Sequence, residues 1–120
     1  MWLLKTTDRF DWWFSSLQDH ERAAVLGSLL VLRARGPELP RPGADSIQGS
    51  RYSNMKELRV QCRGKPIRIF FAFDPQRTGV LLCAGGKTGN EKRFYRVMIP
   101  IADRELTDYL NRTRGNVCVH

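Results

Sequence analysis

Arginines on two neighbouring apolar strands are the residues of this chain best suited to do chemistry. Within residues 55–74, Glu57, Arg59 and Gln61 alternate with apolar residues, as in a half-buried strand. After a turn that contains Gly and Pro, the next apolar run includes Arg68. The guanidinium group is a planar fork of donors that matches two phosphate oxygens. The pair therefore indicates a protein that handles phosphate groups.

A third strand, predicted over residues 79–86, delivers Lys87 into a glycine-rich charged loop. The loop lacks the GxxxxGK[ST] spacing, and an antiparallel sheet in a chain of 120 residues does not supply the parallel sheet that this motif needs. A nucleotide-binding P-loop is therefore not expected here.

Composition bounds the class of protein. The chain has 120 residues, 42% of them hydrophobic, which fits one domain with a modest core. Its net charge of +8 would attract nucleic acid or an acidic protein partner. No apolar run approaches the ~20 residues that span a bilayer, and no secretory signal pattern is visible. We expect a cytoplasmic protein with no membrane partner.

Cysteine and histidine usage predicts neither a metal site nor a cofactor. Cys62, Cys83 and Cys118 are widely spaced and form no CxxC pair, so we expect no zinc site and no disulfide framework. Two of them fit as small apolar residues inside strands. His20 and His120 are the only histidines, so a histidine-based catalytic centre is not expected.

The N-terminal part predicts an edge strand followed by a helical hairpin. Residues 1–5 form a short apolar segment, and Thr6, Thr7 and Asp8 offer N-cap chemistry to the helix that follows. A second helix is predicted from Asp19 to Arg35, with Gly36 and Pro37 as its stop. The first helix carries an aromatic cluster that fits core packing better than base stacking, with Trp12 pointing elsewhere. Its aromatic members are Phe10, Trp13 and Phe14, and Leu17 follows them at helical spacing.

The remaining segments complete an α+β fold. Residues 36–54 hold three of the six prolines and several glycines, and they predict an irregular connection. A short turn or helix is predicted over residues 90–97, before an amphipathic helix with Pro100 in its first turn and its end near Arg112. We expect one domain over residues 1–113 and a flexible tail over residues 114–120.

The order of these features resembles that of a known family. A KELR strand, a strand with an inward arginine, a strand ending near Lys87 and the basic-aromatic segment RFYR lead to a helix. This pattern, over roughly residues 2–112, resembles the RelE/ParE superfamily of bacterial type II toxins, most closely its phage-associated HigB-like branch. The resemblance implies the compact RelE-like fold, an antiparallel sheet with an N-terminal helical hairpin and a C-terminal helix.

The resemblance also implies a function. The protein would be the toxin of a type II toxin-antitoxin pair, a metal-independent mRNA endoribonuclease acting on messages in the ribosomal A site. A helix-turn-helix antitoxin of the HigA type would neutralise it, and operator DNA would be contacted only through that antitoxin. Two alternatives stay open: a ParE-like gyrase inhibitor with the same fold, and a noncatalytic RNA- or protein-binding module.

Metal-independent RNA cleavage requires removal of a 2′-hydroxyl proton, stabilisation of the phosphorane charge and protonation of the 5′-oxygen. Arg59 and Arg68 suit the second task. By resemblance, Arg68 matches the family's arginine on the middle strand, Arg93 its basic residue after the last strand, and Tyr95 its later tyrosine. Lys87 and Lys56 are candidate proton carriers.

Glu57 departs from the family, because ribosome-dependent relatives often carry a lysine there. It could be a general base, or it could form an ion pair with Arg59 or Arg68, and we favour the ion pair. Arg68 could itself be a half-exposed strand residue whose only duty is that pair. A further set of cations would contact RNA: Arg51, Lys56, Arg63, Lys65 and Lys92.

Overall fold

The computed structural model describes the backbone of residues 1–118 and the side chains of residues 1–113. Five strands, three α-helices and one 3₁₀ turn are present in this part of the chain. In chain order they are β1 (Leu3–Thr6), α1 (Asp8–Ser15), α2 (Asp19–Arg35), the 3₁₀ turn (Gly36–Glu38), β2 (Ala44–Ser46), β3 (Lys56–Cys62), β4 (Lys65–Phe73), β5 (Thr78–Gly86) and α3 (Glu91–Cys118). The predicted α+β class is confirmed.

The strands form one sheet in the order β1-β5-β4-β3-β2. The β3–β4 and β4–β5 pairs are antiparallel, as predicted. β1 is the predicted edge strand, but it pairs with β5 in parallel, because α1 and α2 carry the chain away before it returns to the sheet. The opposite edge is β2, antiparallel to β3. The prediction of an irregular connection over residues 36–54 was therefore wrong for Ala44–Ser46.

Local capping fixes the helical hairpin. The Thr7 hydroxyl accepts the backbone N–H of Phe10 and donates to the carbonyl of Leu82 at 2.7 Å, so one buried side chain caps α1 and ties it to β5. Gly36 ends α2 with φ near 60°, as predicted. A Cβ at this position would meet the indole ring of Trp2, so both the backbone conformation and the space require glycine.

The sheet separates two apolar cores. The α1–α2 hairpin packs on one face, where Phe10, Val25, Leu32, Leu58, Ile69 and Phe71 are buried. α3 packs on the other face, where Met55, Phe70, Val80, Leu82, Ala102 and Leu106 are buried. The predicted aromatic cluster of α1 lies in the first core, and Trp12 is exposed. Cys62 and Cys83 are buried in strands, which confirms their predicted apolar role.

The C-terminal helix differs from its prediction. α3 is continuous from Glu91 to Cys118, and Pro100 lies inside it rather than in its first turn. Asn90 caps the helix by accepting the backbone N–H of Arg93 with its side-chain oxygen. A proline inside a helix costs about 3 kcal/mol, and burial of the apolar face of α3 on the sheet offsets this cost.

The end of α3, the predicted tail and the predicted absence of a membrane-spanning segment can be compared with the structure. The helix continues past the predicted end near Arg112. The side chains of residues 114–120 lie outside the described part of the chain, so the flexible tail stays a prediction. Over the described residues, no helix combines the length and apolar character that a membrane crossing requires.

Candidate functional site

Arg59 and Arg68 face each other across the β3–β4 ladder. They are Cα partners in the strand register, so both side chains emerge at the same point of the sheet. Strand alternation places Arg68 on the same face as its neighbour Phe70, which belongs to the α3 core. The two guanidinium groups therefore meet beside α3.

The carboxylate of Glu57 lies between these arginines. Its Oε2 is 3.2 Å from Nε of Arg59, and its Oε1 is 3.7 Å from Nε of Arg68. The hydroxyl of Tyr95, on α3, donates to Oε1 at 2.6 Å. Only 3% of Glu57 is exposed, and a buried carboxylate is tolerated when cations and donors surround it in this way. The favoured ion-pair prediction for Glu57 is confirmed.

Arg68 keeps free donor capacity within this arrangement. Its Nη1 donates to the carbonyl of Ile67 at 3.1 Å. Its Nε is buried and has no hydrogen-bond partner among the described residues. The nearest carboxylate oxygen, Oε1 of Glu57, lies 3.7 Å from this Nε, beyond hydrogen-bond distance. Arg68 is thus compensated in charge but incompletely hydrogen-bonded.

Tyr95 is held as a proton donor. Partial burial, followed by the hydrogen bond and the negative charge of Glu57, raises the pKa of its phenol to about 12, while Arg68 opposes this rise. The phenol therefore keeps its proton at neutral pH. Nζ of Lys87 lies 5.8 Å from the centre of the Tyr95 ring and 3.0 Å from Oε1 of Glu91, so a further cation borders the phenol.

Two depressions flank Arg59. A cleft of about 450 Å³ lies between β2, β3 and the start of α3, and both Glu57 and Tyr95 line it. A second depression, of about 350 Å³, is lined by Arg59, Arg68 and Gln61. Cavities of this size hold small ligands or parts of larger ones. An extended ligand with a charged group bound to Arg59 could thus place one neighbouring group in each depression.

The structure brings together four of the predicted catalytic residues and not the fifth. Arg59, Arg68, Lys87 and Tyr95 form one cluster, whereas Arg93 lines a different depression with Phe94. Residues two apart on a helix point about 200° away from each other. Since Tyr95 faces the cluster, Arg93 faces away from it.

The predicted RNA-binding cations are scattered. Only Lys92 lines the larger cleft. Lys56 donates to the carbonyl of Pro37 at 3.1 Å, because neighbouring strand residues point to opposite faces and Glu57 faces α3. Lys65 pairs with Glu21 beside α2. The remaining two, Arg51 and Arg63, are exposed: Arg51 lies near Asp103 and Tyr52, and Arg63 lies in the β3–β4 turn.

Sequence reasoning missed one residue and undervalued another. Asp45, on β2, accepts a hydrogen bond from Nη2 of Arg59 at 3.2 Å. No motif marks this residue, because its role depends on the pairing of β2 with β3. Glu57 carried a visible signal, its alternation with Arg59, but the sequence could not show that Tyr95 also reaches it. Within the described residues, no group of three or more His, Cys, Asp or Glu side chains is arranged to hold a metal ion.

The fold is the one shared by RelE toxins. The chain is similar to the RelE toxin in the intact E. coli RelBE toxin-antitoxin complex, with a TM-score of 0.55 and 15% identity over 75% of this chain and 100% of that one. It is equally similar to the isolated E. coli RelE toxin, with a TM-score of 0.56 and 15% identity over 82% of this chain and 97% of that one.

Sequence comparison then gives the family. Residues 12–107 match the family described as phage derived protein Gp49-like, and the chain belongs to it. A Mycobacterium tuberculosis (strain ATCC 25618 / H37Rv) protein provisionally named toxin HigB3 is 45% identical over 103 residues, which are 86% of this chain and 89% of that protein. One provisionally named toxin HigB2, from the same strain, is 38% identical over 104 residues, 86% of this chain and 52% of that protein.

The predicted membership of the HigB-like branch of the RelE superfamily is confirmed. The chain is a toxin of the HigB/RelE type of toxin-antitoxin system. It spans about half the length of HigB2.

Proposed function

We propose that this toxin is a metal-independent mRNA endoribonuclease that acts on ribosome-bound messages in the cytoplasm and so inhibits translation. One observation carries the proposal: two directly opposed arginines share a buried carboxylate with a protonated tyrosine. Cations fixed in advance at one point stabilise charge that develops there in a transition state. A scissile phosphate at this point would be the ligand.

The proposed reaction uses groups that the cluster already holds. The substrate phosphate takes the donors of Arg59 and Arg68 and leaves the carboxylate of Glu57 free to accept the 2′-hydroxyl proton. The 2′-oxygen then forms a bond to phosphorus as the bond from phosphorus to the 5′-oxygen breaks. Tyr95, whose raised pKa keeps it protonated, donates its proton to the departing 5′-oxygen. The products are a 2′,3′-cyclic phosphate and a 5′-hydroxyl end.

A second protein would control this activity. We infer a helix-turn-helix antitoxin of the HigA type, which would bind the toxin and alone contact operator DNA. Support comes from the solved RelBE toxin-antitoxin complex, which contains a toxin of the same fold. The charge of +8 on this chain favours an acidic binding surface on that partner.

Primer extension on cellular mRNA after brief induction tests the proposal. Wild type should give discrete cuts on translated messages, and Arg68→Ala should abolish them because the variant loses a phosphate-binding cation. Arg93→Ala is the matched control: it removes the same charge from the surface that faces away from the cluster, and its cuts should remain.

Other outcomes would point to another function. Growth arrest without cuts, together with inhibition of supercoiling, would turn the proposal toward a ParE-like gyrase inhibitor. Binding of RNA without cleavage would indicate a noncatalytic module. Equal loss of cuts in Arg68→Ala and Arg93→Ala would leave nuclease activity standing but would refute the assignment to the Arg59–Arg68 pair.

A further inference from the structure

The outer face of α2 is apolar where a solvated helix is normally polar. Leu26, Leu30 and Val31 are 51%, 63% and 48% exposed, and residues 23–32 contain no charged side chain. Isolated exposed apolar residues are ordinary, but a contiguous set along one helix marks a surface that binds something. The exposed small and apolar residues that we call the α2 stripe are Ala23, Leu26, Gly27, Leu30, Val31 and Ala34.

The α2 stripe has the length and shape for one helix. From Ala23 to Ala34 it extends about 16 Å, the length of a partner helix of about 12 residues. A Cβ built at Gly27 meets no atom within 4 Å, so the stripe is open at its centre. Small residues there let two helix backbones approach closely, while Leu26 and Leu30 supply apolar contact on both sides of the glycine.

Charge favours an acidic partner over a second copy of this chain. Exposed Arg33 and Arg35 flank Ala34, the last residue of the stripe, at the end of α2. Two copies of a chain with a net charge of +8 would repel each other at such a contact, whereas acidic residues beside a partner's apolar stripe would be attracted.

Two depressions that share Gly43 and Arg59, here together called the groove, lie between the α2 stripe and the arginine pair. Val31 belongs to the stripe and also lines a depression of about 160 Å³ together with Leu39, Gly43 and Arg59. Arg59 in turn borders the 350 Å³ depression that contains Arg68. A partner seated on α2 therefore lies beside two adjoining depressions, the second of which is lined by both arginines.

We propose that the α2 stripe docks an amphipathic helix of an acidic protein, and that an acidic segment next to that helix runs through the groove to Arg59 and Arg68. The docked helix supplies apolar binding energy, and the acidic segment occupies the place of the substrate phosphate. This inference rests on the proposed function, because it gives the inferred antitoxin its binding surface and its means of inhibition.

Co-expression tests the proposal, with the protein encoded by the reading frame adjacent to the toxin gene as the probe. Each full-length toxin variant is induced with and without that protein, and growth and complex formation are measured. The test variant is Leu26→Asp with Leu30→Asp, and Leu30→Asp alone is the milder form. Val97→Asp is the matched control, because Val97 is also 51% exposed but lies on α3.

All toxin variants induced alone should arrest growth, since none of these substitutions touches the arginine cluster. With the partner, wild type and Val97→Asp should be neutralised, whereas the Leu26→Asp, Leu30→Asp variant should escape and bind at least about tenfold more weakly. Acidic residues on the groove side of the partner should likewise be needed for neutralisation.

Three results would overturn the inference in distinguishable ways. Neutralisation of all variants would reject the α2 stripe but keep the pairing of toxin and antitoxin. Weaker binding of the Leu26→Asp, Leu30→Asp variant without escape from neutralisation would reject the part of the α2 stripe in inhibition. Failure of the adjacent protein to bind wild type would reject the proposed partner, while growth arrest and mRNA cuts by the toxin alone would still support the nuclease.

Discussion

Replacement of Glu57 by glutamine should destabilise the protein far more than a similar change at the surface. Glu57 is buried, contacts Arg59 and Arg68, and accepts the hydroxyl of Tyr95. Glutamine keeps an oxygen for Tyr95 but loses the charge that compensates two guanidinium groups. Removing one partner of a buried charge pair costs about 3–5 kcal/mol.

The structure places the expected loss at the lower end of that range. Asp45 still contacts Arg59 at 3.2 Å in the variant, so one of the two cations keeps a carboxylate. We therefore expect Glu57→Gln to lower the free energy of unfolding by about 3 kcal/mol. With a urea dependence of about 1–3 kcal/mol per molar, the unfolding midpoint should fall by about 1–3 M urea.

Equilibrium urea unfolding followed by circular dichroism measures this change. Glu91→Gln is the matched control, because Glu91 also contacts a cation, Lys87, at 3.0 Å but is largely exposed. Exposed ion pairs contribute about 0–1 kcal/mol, so the control should hardly move the midpoint. A Glu57→Gln midpoint within error of the Glu91→Gln midpoint would refute the view that this carboxylate holds the arginine pair together.

Three further predictions concern the hydroxyl of Tyr95, its titration, and the glycine that ends α2. Tyr95→Phe should lower the free energy of unfolding by about 1.5–3 kcal/mol in urea titrations, because it deletes a hydrogen bond to a buried carboxylate; a change below about 0.5 kcal/mol would contradict this. The protonated phenol of Tyr95 stabilises the fold below its unfolded pKa near 10, and this stabilisation is lost as pH rises through the folded pKa of about 12. The difference between the tyrosinate absorbance titrations of wild type and Tyr95→Phe reports this phenol, and a midpoint near pH 10 would contradict the raised pKa. Gly36→Ala should unfold at markedly lower temperature than Gly64→Ala, because both glycines have positive φ but only Gly36 also faces a side chain, that of Trp2; equal melting temperatures would show that the steric contact is unimportant.

Local sequence signals sufficed where local physics decides the structure. The alternation of Glu57, Arg59 and Gln61 and the Gly-Pro turn predicted the β3–β4 hairpin. The apolar stripe and the Gly36 stop predicted α2 from Asp19 to Arg35, the bounds that the structure has. These elements follow from side-chain periodicity and from glycine's access to positive φ.

Elements that depend on distant contacts could not be predicted in this way. β2 is three residues long and is held by β3 and by the contact between Asp45 and Arg59. α3 continues through Pro100 because its apolar face is buried on the sheet, a tertiary effect that overrides local propensity.

In the candidate site, the sequence identified important residues but not the directions of all their side chains. Sequence identified Arg59 and Arg68 as important, and strand register then made them direct partners. The orientation of Arg93 depended on where α3 begins, since a helix that starts at Glu91 directs Tyr95 toward Glu57 and Arg93 away from it. The sequence predicted residues 90–97 as a separate short turn or helix, so it did not give the direction in which the Arg93 side chain points.

The central claim is that Arg59 and Arg68 bind the scissile phosphate, and single-turnover cleavage of a defined mRNA on purified programmed ribosomes tests it most directly. Arg59→Ala and Arg68→Ala should each slow cleavage by about 10²–10³-fold, the usual effect of removing one preorganised group that stabilises the transition state. Arg93→Ala should stay within a few fold of wild type. Cleavage by Arg68→Ala at the wild-type rate, or an equal loss in Arg93→Ala, would contradict the claim.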